Sequence, residues 1–382
     1  MAARVLILSA AVGAGHVRAA QALELAFRQS APEVIVGHID VLTLTNPIFR
    51  RIYGKLYLDL VNHAPHVLGY MYDWMDRPRQ PKYPVDRLRV VVEKLNLSKL
   101  LDLLQEQKWD VIVSTHFLSA EMIAALRKKR AIDTPQITVT TDFDTHRMWV
   151  NQPCERYTTA TEEGAAYLQS YGVPDEHTLV TGIPIDPIFA TPKSKAFCLK
   201  AHNLAADRLV VLQLAGGFGV GPVANLYQGV LSTEIPLQVI AVTGRNAQAK
   251  KQLEAIPVPR RHKSAVFGFT DKIDELMGAA DVVITKPGGL TTSETLARGA
   301  AMAIVNPIPG QEMRNSDFLL ENRAAIKINN LPTVKMKLEA LLSDSSRLEE
   351  LKQNAVCLAK PRAAFDVVEL ALNLARRGCK EG

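Results

Sequence analysis

Apolar positions fall in short blocks separated by glycine turns and by stretches with helical spacing. Val5 to Leu8 is apolar at every position, Gly13 and Gly15 follow, Arg18 to Gln29 carries apolar residues at helical intervals, and Val34 to Asp40 is the next extended block. This strand, glycine turn, helix and strand open a β-α-β unit, and a strand apolar at every position is one buried on both faces of a parallel sheet. Val111 to Ser114, Gln136 to Thr140 and Tyr157 to Ala160 continue the sheet, and the cluster Gly182-Ile-Pro-Ile-Asp-Pro187 marks a linker. Beyond it the pattern restarts with extended blocks at Leu209 to Leu214, Leu237 to Thr243, Ala265 to Gly268, Val282 to Thr285 and Ala303 to Asn306, with helical segments between them. The pattern predicts an α/β protein of two doubly wound Rossmann-like domains, residues 1–187 and 188–361, facing their strand C-termini across a cleft. A helix over about 362–382 is expected to pack back on the first domain.

The totals narrow the class. A chain of 382 residues exceeds the size at which one core keeps growing, and 47% hydrophobic with 22% charged residues is the composition of a folded globular protein. No apolar run approaches the 18 or so residues that span a bilayer. Met1 to Gly15 superficially resembles a short signal peptide, but the same residues form the first strand that the sheet requires. Cys154, Cys198, Cys357 and Cys379 have neither paired nor metal-ligand spacing, so reduced thiols of a cytoplasmic protein are expected, with no disulfide and no metal.

The net charge of +6 suits nucleic acid, anionic lipid or a phosphorylated ligand, and its placement discriminates among them. Residues 50–94 hold nine Lys or Arg against five Asp or Glu, and residues 49–83 hold seven of the 23 aromatics. Basic, aliphatic and aromatic side chains mixed in this way, with Tyr53, Tyr57, Tyr70 and Trp74 among them, suit the interface of an anionic membrane. The blander reading is an amphipathic helix whose aromatics pack on the sheet. Nucleic acid has only the charge in its favour and no recognised motif.

Three glycine loops carry the chemistry. Gly13-Ala-Gly15-His16-Val-Arg18 follows a strand and opens a helix, where backbone amides approach an anion, but Arg18 stands where a dinucleotide fingerprint has its third glycine. Asp40, ending the next strand, is the one residue that supports a dehydrogenase. His16 at this turn is a candidate base, and on spacing alone a histidine bonded to its own helix or a nearby carbonyl is as good a reading. Gly216-Gly-Phe-Gly-Val-Gly221 follows the first strand of the second half, and Thr285-Lys-Pro-Gly-Gly-Leu-Thr-Thr-Ser-Glu294 repeats the arrangement, with Glu294 placed to chelate a ribose diol or simply to suit a helix N-terminus. Pro309-Gly-Gln-Glu312 repeats it one strand later.

Taken in order, Ser9-x-x-x-Gly13-x-Gly15-His16, Thr141-Asp-Phe-Asp-Thr-His146 with Trp149, Gly216 to Pro222, Thr243-Gly-Arg-Asn246, Gly268-Phe-Thr270, Thr285 to Glu294 and Pro309 to Glu312 resemble the monogalactosyldiacylglycerol synthase and processive diacylglycerol glucosyltransferase family. That family belongs to glycosyltransferase family 28 and is related to the peptidoglycan lipid-intermediate N-acetylglucosaminyltransferase. The resemblance implies a GT-B fold and an inverting transfer of galactose or glucose from a UDP-sugar to the sn-3 hydroxyl of diacylglycerol, at the cytoplasmic face of the cell membrane. It implies no cofactor and no essential metal. By position it assigns Phe269 and Thr270 to the uracil and Glu294 to the ribose. The phosphates fall to Gly216, Gly217, Phe218, Gly219, Gly288, Gly289, Leu290 and Thr291 with Arg245 assisting, and the hexose hydroxyls to Gln311 and Glu312. His16 would be the base, and Gly13, Gly15, Asp142, His146 and Trp149 would lie on the acceptor side with the aromatic segment. Gly288-Gly-Leu-Thr291 is closer to the peptidoglycan relative than to plant galactolipid enzymes, so the donor sugar stays open. A prenyl-linked acceptor and a non-catalytic UDP-sugar sensor are the alternatives.

Overall fold

The computed structural model describes residues 2–46, 49–51, 97–215 and 222–378. It divides into two compact units, one of Met1–Pro187 with Pro309–Gln311 and Lys360–Gly382, the other of Ile188–Ile308 with Glu312–Ala359.

The first unit runs β1 (Arg4–Ser9), α1 (Gly15–Ser30), β2 (Ile35–Asp40), α2 (Ser98–Glu106), β3 (Val111–Ser114), α3 (Phe117–Lys128), β4 (Gln136–Val139), β5 (Arg156–Thr159), α4 (Glu162–Ser170) and β6 (Thr178–Val180). Its six strands are all parallel in the order β2-β1-β3-β4-β5-β6, with Val5 opposite Val36 on one side and Val111 on the other. Successive side chains of β1 enter different cores, as the period of two requires. Leu6 and Leu8 pack with Leu118, Trp149 and Tyr157, whereas Val5 and Ile7 pack with Leu23 and Phe27 of α1.

The second unit holds α5 (Lys195–Ala201), β7 (Leu209–Leu214), α6 (Val223–Leu231), β8 (Leu237–Val242), α7 (Ala247–Glu254), β9 (Lys263–Phe267), α8 (Ile273–Ala279), β10 (Val282–Thr285), α9 (Gly289–Ala297), β11 (Ala301–Val305), α10 (Gln311–Glu321), β12 (Ala325–Ile328), α11 (Val334–Leu342) and α12 (Ser345–Leu358). The order here is β12-β11-β10-β7-β8-β9, again parallel throughout. The last helix, α13 (Ala363–Gly378), lays Ala364, Val367, Val368 and Ala371 against the α1 side of the first unit's sheet. Gly182 explains one detail of that return: its φ is +89°, and an added Cβ would stand 2.4 Å from the Cβ of Lys360.

Two strands do not show in the hydrophobic pattern. Thr178–Val180 is a three-residue edge strand whose Leu179 points outward at 39% exposure, and Ala325-Ile-Lys-Ile328 is a short edge on the other sheet. A strand paired on one side only has no need of a long apolar run.

The strand orders fix where ligands are to be sought. In the first sheet β1 lies between β2 and β3, so the connections leaving the C-terminal ends of β1 and β3 diverge; in the second, β7 and β10 stand in the same relation. Such switch points leave a crevice outside the strand ends, and the residues that follow these four strands occupy it.

Candidate functional site

The β1 switch point is built around His16. Gly13, with φ +80°, turns the chain, and α1 begins at Gly15, which places His16 in the first helical turn. No side chain caps this helix and no acidic residue stands in its first turn, so its amide end remains electropositive. The half-buried His16 directs Nδ1 at the Thr115 carbonyl, 3.1 Å away, and at the Thr141 hydroxyl, 2.9 Å away. A carbonyl only accepts, so Nδ1 carries the hydrogen and the lone pair lies on Nε2. Burial lowers the His16 pKa to about 4, against the opposing pull of the Thr115 carbonyl, and the ring is neutral at pH 7.

Two further rings line His16 and a third packs behind them. His116 meets it edge-on at 4.4 Å between centroids, Trp149 lies at 6.2 Å, and Phe117 packs against both His116 and Trp149. His116 caps α3 by accepting the Leu118 amide at Nδ1, so its own proton sits on Nε2. Burial first, and then the proximity of His16 and His146, hold the His116 pKa well below the usual value. The buried loop after β4 contributes Asp142 and His146, and the Gln311 side-chain amide donates to both, at 3.0 Å to Asp142 Oδ2 and 3.1 Å to His146 Nε2. The Pro309–Gln311 segment groups with this unit.

Asp40 has a different task from the one a dinucleotide fold would give it. Its Oδ1 accepts the amide of Leu42 at 3.0 Å and that of Ala11 at 3.2 Å, tying the β2 end to the loop after β1.

In the second unit the β10 switch point carries the loop before α9. Gly288 occupies the N-cap position of α9 with no side-chain cap, and Gly289, Leu290 and Thr291 form the first turn, so these amides are open to an anion. Leu290 and Glu294 are buried on the same helix. Glu312, in the first turn of α10, accepts the Ile308 amide at 2.7 Å, and burial raises its pKa. The loops after β8 and β9 bring Arg245 to 5.7 Å from the Phe269 ring, which is 72% exposed and offers a flat face; Thr270 accepts the Lys272 amide beside it. Gly216, Gly217, Phe218 and Gly219, and likewise Tyr53, Tyr57, Tyr70 and Trp74, lie outside the described residues.

The family profile of monogalactosyldiacylglycerol (MGDG) synthase matches residues 16–185, and that of the glycosyltransferase family 28 C-terminal domain matches residues 222–366. A processive diacylglycerol beta-glucosyltransferase of Bacillus mycoides is 32% identical over 97% of this chain and 93% of its own length, and that of Bacillus cereus is equally similar. The chain belongs to the diacylglycerol glycosyltransferases of glycosyltransferase family 28. As a member of that family it is a glycosyltransferase with a GT-B fold. The crystal structure of Acinetobacter baumannii MurG aligns over 97% of this chain and 99% of that one with a TM-score of 0.64 at 16% identity. A UDP-GlcNAc 2-epimerase from Neisseria meningitidis, bound to UDP-GlcNAc, aligns over 98% and 100% with a TM-score of 0.58 at 13% identity. These two likenesses concern the fold.

For this family member the site contains two residues that the motifs do not single out, Thr115 and His116, which follow β3 and are buried; Thr141, which opens a quoted motif, follows β4 and is buried as well. Ser114-Thr115-His116 is a polar triplet closing an apolar strand without a glycine, so it lacks the punctuation that marks the other loops. Among the described residues no helix is long and apolar enough to cross a membrane, and no group of three or more His, Cys, Asp or Glu is placed to hold a metal ion.

Proposed function

We propose that this glycosyltransferase moves a hexose, glucose or galactose, from a UDP-sugar to the sn-3 hydroxyl of diacylglycerol, with inversion at the anomeric carbon, as a peripheral protein on the inner face of the cell membrane. The observation that carries the reading is His16: neutral, half-buried at the β1 switch point, with Nδ1 bonded and the lone pair on Nε2. The acceptor oxygen attacks the anomeric carbon as its proton passes to Nε2, and the bond from that carbon to the diphosphate oxygen breaks, releasing UDP. The open amides of α9 at Gly289, Leu290 and Thr291, with Arg245 nearby, meet the negative charge that develops on the leaving diphosphate. In this reading Phe269 and Thr270 face the uracil, Glu294 the ribose and Gln311 with Glu312 the hexose hydroxyls, while Asp142, His146 and Trp149 line the acceptor side. In this reading the backbone amides of α9 stabilise that charge, and the transfer is proposed to need no resident cofactor or metal. The name of the Bacillus relatives supports the lipid acceptor.

The test is transfer of radiolabel from UDP-glucose and UDP-galactose, in separate assays with and without EDTA, to diacylglycerol in anionic liposomes. Lipid-soluble label from one donor, insensitive to EDTA and reduced about a hundredfold or more in His16→Ala, is the expected result. UDP binding without label on diacylglycerol from either donor overturns the acceptor assignment and turns attention to prenyl-linked lipids and then to a sensor.

A further inference from the structure

The His16 imidazole is held by residues that follow the neighbouring strands β3 and β4. Its Nδ1 faces two oxygens: the Thr115 carbonyl follows β3, and the Thr141 hydroxyl follows β4, one strand further out. Thr115 is wholly buried and Thr141 is 4% exposed, so both oxygens sit at the ends of packed strands. The Thr115 carbonyl disfavours a lone pair on Nδ1, which would face the carbonyl lone pairs at 3.1 Å, but a small turn of the ring relieves that repulsion. The carbonyl alone gives one hydrogen-bond contact on that edge of the ring. The Thr141 oxygen, at 2.9 Å, is the nearer acceptor and supplies the second point that fixes the ring plane.

We propose that Thr141 is a positioning residue for His16: together with the Thr115 carbonyl it holds the Nδ1–H tautomer and ring orientation that aim the Nε2 lone pair at the acceptor hydroxyl. The inference deepens the proposed function, since its kinetic consequence rests on His16 acting as the base; its structural content does not. Removing the hydroxyl leaves the base present but poorly aimed, which lowers the rate of the chemical step more than donor binding.

The experiment uses the full chain labelled with 15N-histidine, with the His16 signals among the nine histidines identified by their loss in His16→Gln. Long-range proton–nitrogen spectra at pH 7 report the tautomer directly, and kcat and KM are measured alongside on Thr141→Val and Thr141→Ser. The parent and Thr141→Ser are expected to show His16 as the single Nδ1–H tautomer. Thr141→Val is expected to show a mixture of tautomers, with kcat about tenfold lower or more and the donor KM within about twofold. If Thr141→Val does not fold, Thr141→Ala carries the same expectations. A pure Nδ1–H tautomer with unchanged kcat in the hydroxyl-free variant overturns the proposal, as does a folded Thr141→Ser that fails to restore both readouts. A parent that transfers no sugar removes the catalytic reading, and the tautomer spectra then decide the positioning role by themselves.

Discussion

Thr115 and His16 bond each other in both directions: the His16 Nδ1–H donates to the Thr115 carbonyl at 3.1 Å, and the Thr115 hydroxyl donates to the His16 carbonyl at 2.9 Å. One residue therefore anchors both the backbone and the ring of the candidate base. The contact joins the loops after β1 and β3, the two that diverge at the switch point. With Nδ1 engaged, the lone pair of the ring lies on Nε2, and the rings of His116 and Trp149 pack beside the imidazole.

Replacing His116 by Asn is expected to move the acid limb of kcat/KM. Asparagine retains an oxygen able to cap α3 but removes the ring packed against His16. Water then reaches His16, whose pKa rises from about 4 toward the ordinary 6.5. The parent should hold a plateau from pH 6 to 8, whereas the variant should lose activity already below about pH 6.5. Coincident pH profiles for the two proteins would show that His116 does not control the hydration of His16.

Mild acid should destabilise the fold through its buried histidines. His16, His116 and His262 all have lowered pKa values, chiefly through burial. His262 accepts the Leu237 amide and donates to the Leu231 and Thr233 carbonyls, an arrangement that its protonation would break. The unfolded chain binds these protons near pH 6.5 and the folded chain only at lower pH, so stability is full above 6.5 and declines as pH falls toward 4. Glu234 and Glu275, lowered by their lysine partners, lose their contribution below the ordinary carboxylate value of 4.5, while Glu312 and Asp366, raised by burial, act in the opposite sense. Between pH 6.5 and 5 the three histidines therefore lower stability while the raised Glu312 and Asp366 offset part of the loss, and Tm should fall across the window; a flat Tm from pH 7 to 5 would contradict this account.

Gly288→Ala is expected to separate donor binding from folding. The backbone there, with φ −68° and ψ 144°, suits any residue, and the nearest atom to an added Cβ is Glu312 Oε1 at 3.8 Å, an ordinary contact. Denaturant unfolding should change by no more than about 1 kcal/mol. The methyl group nonetheless stands beside the open amides of α9, and calorimetry should show UDP binding weakened about tenfold or more, the size of one lost charge-assisted hydrogen bond. Unchanged UDP affinity would remove this loop from the donor site.

The residue pattern by itself determined the two parallel α/β units, the position of β1 and its glycine turn, and the candidacy of His16, Gly288 and Glu294. These are local properties: a run of apolar residues is readable wherever both faces of a strand are buried, and a glycine loop announces close approach of the backbone. The serial order of the motifs also sufficed for the family. Which oxygens hold the His16 ring was decided only by tertiary structure, because the partners of Nδ1 lie 99 and 125 residues away in sequence. What brings them together is the pairing of β1 with β3 and of β3 with β4. Strand order follows from how whole helices cover a sheet, and no local spacing encodes it. The edge strands β6 and β12 escaped notice for the same kind of reason: they satisfy one ladder of hydrogen bonds at the margin of the core, where burial writes little into the sequence.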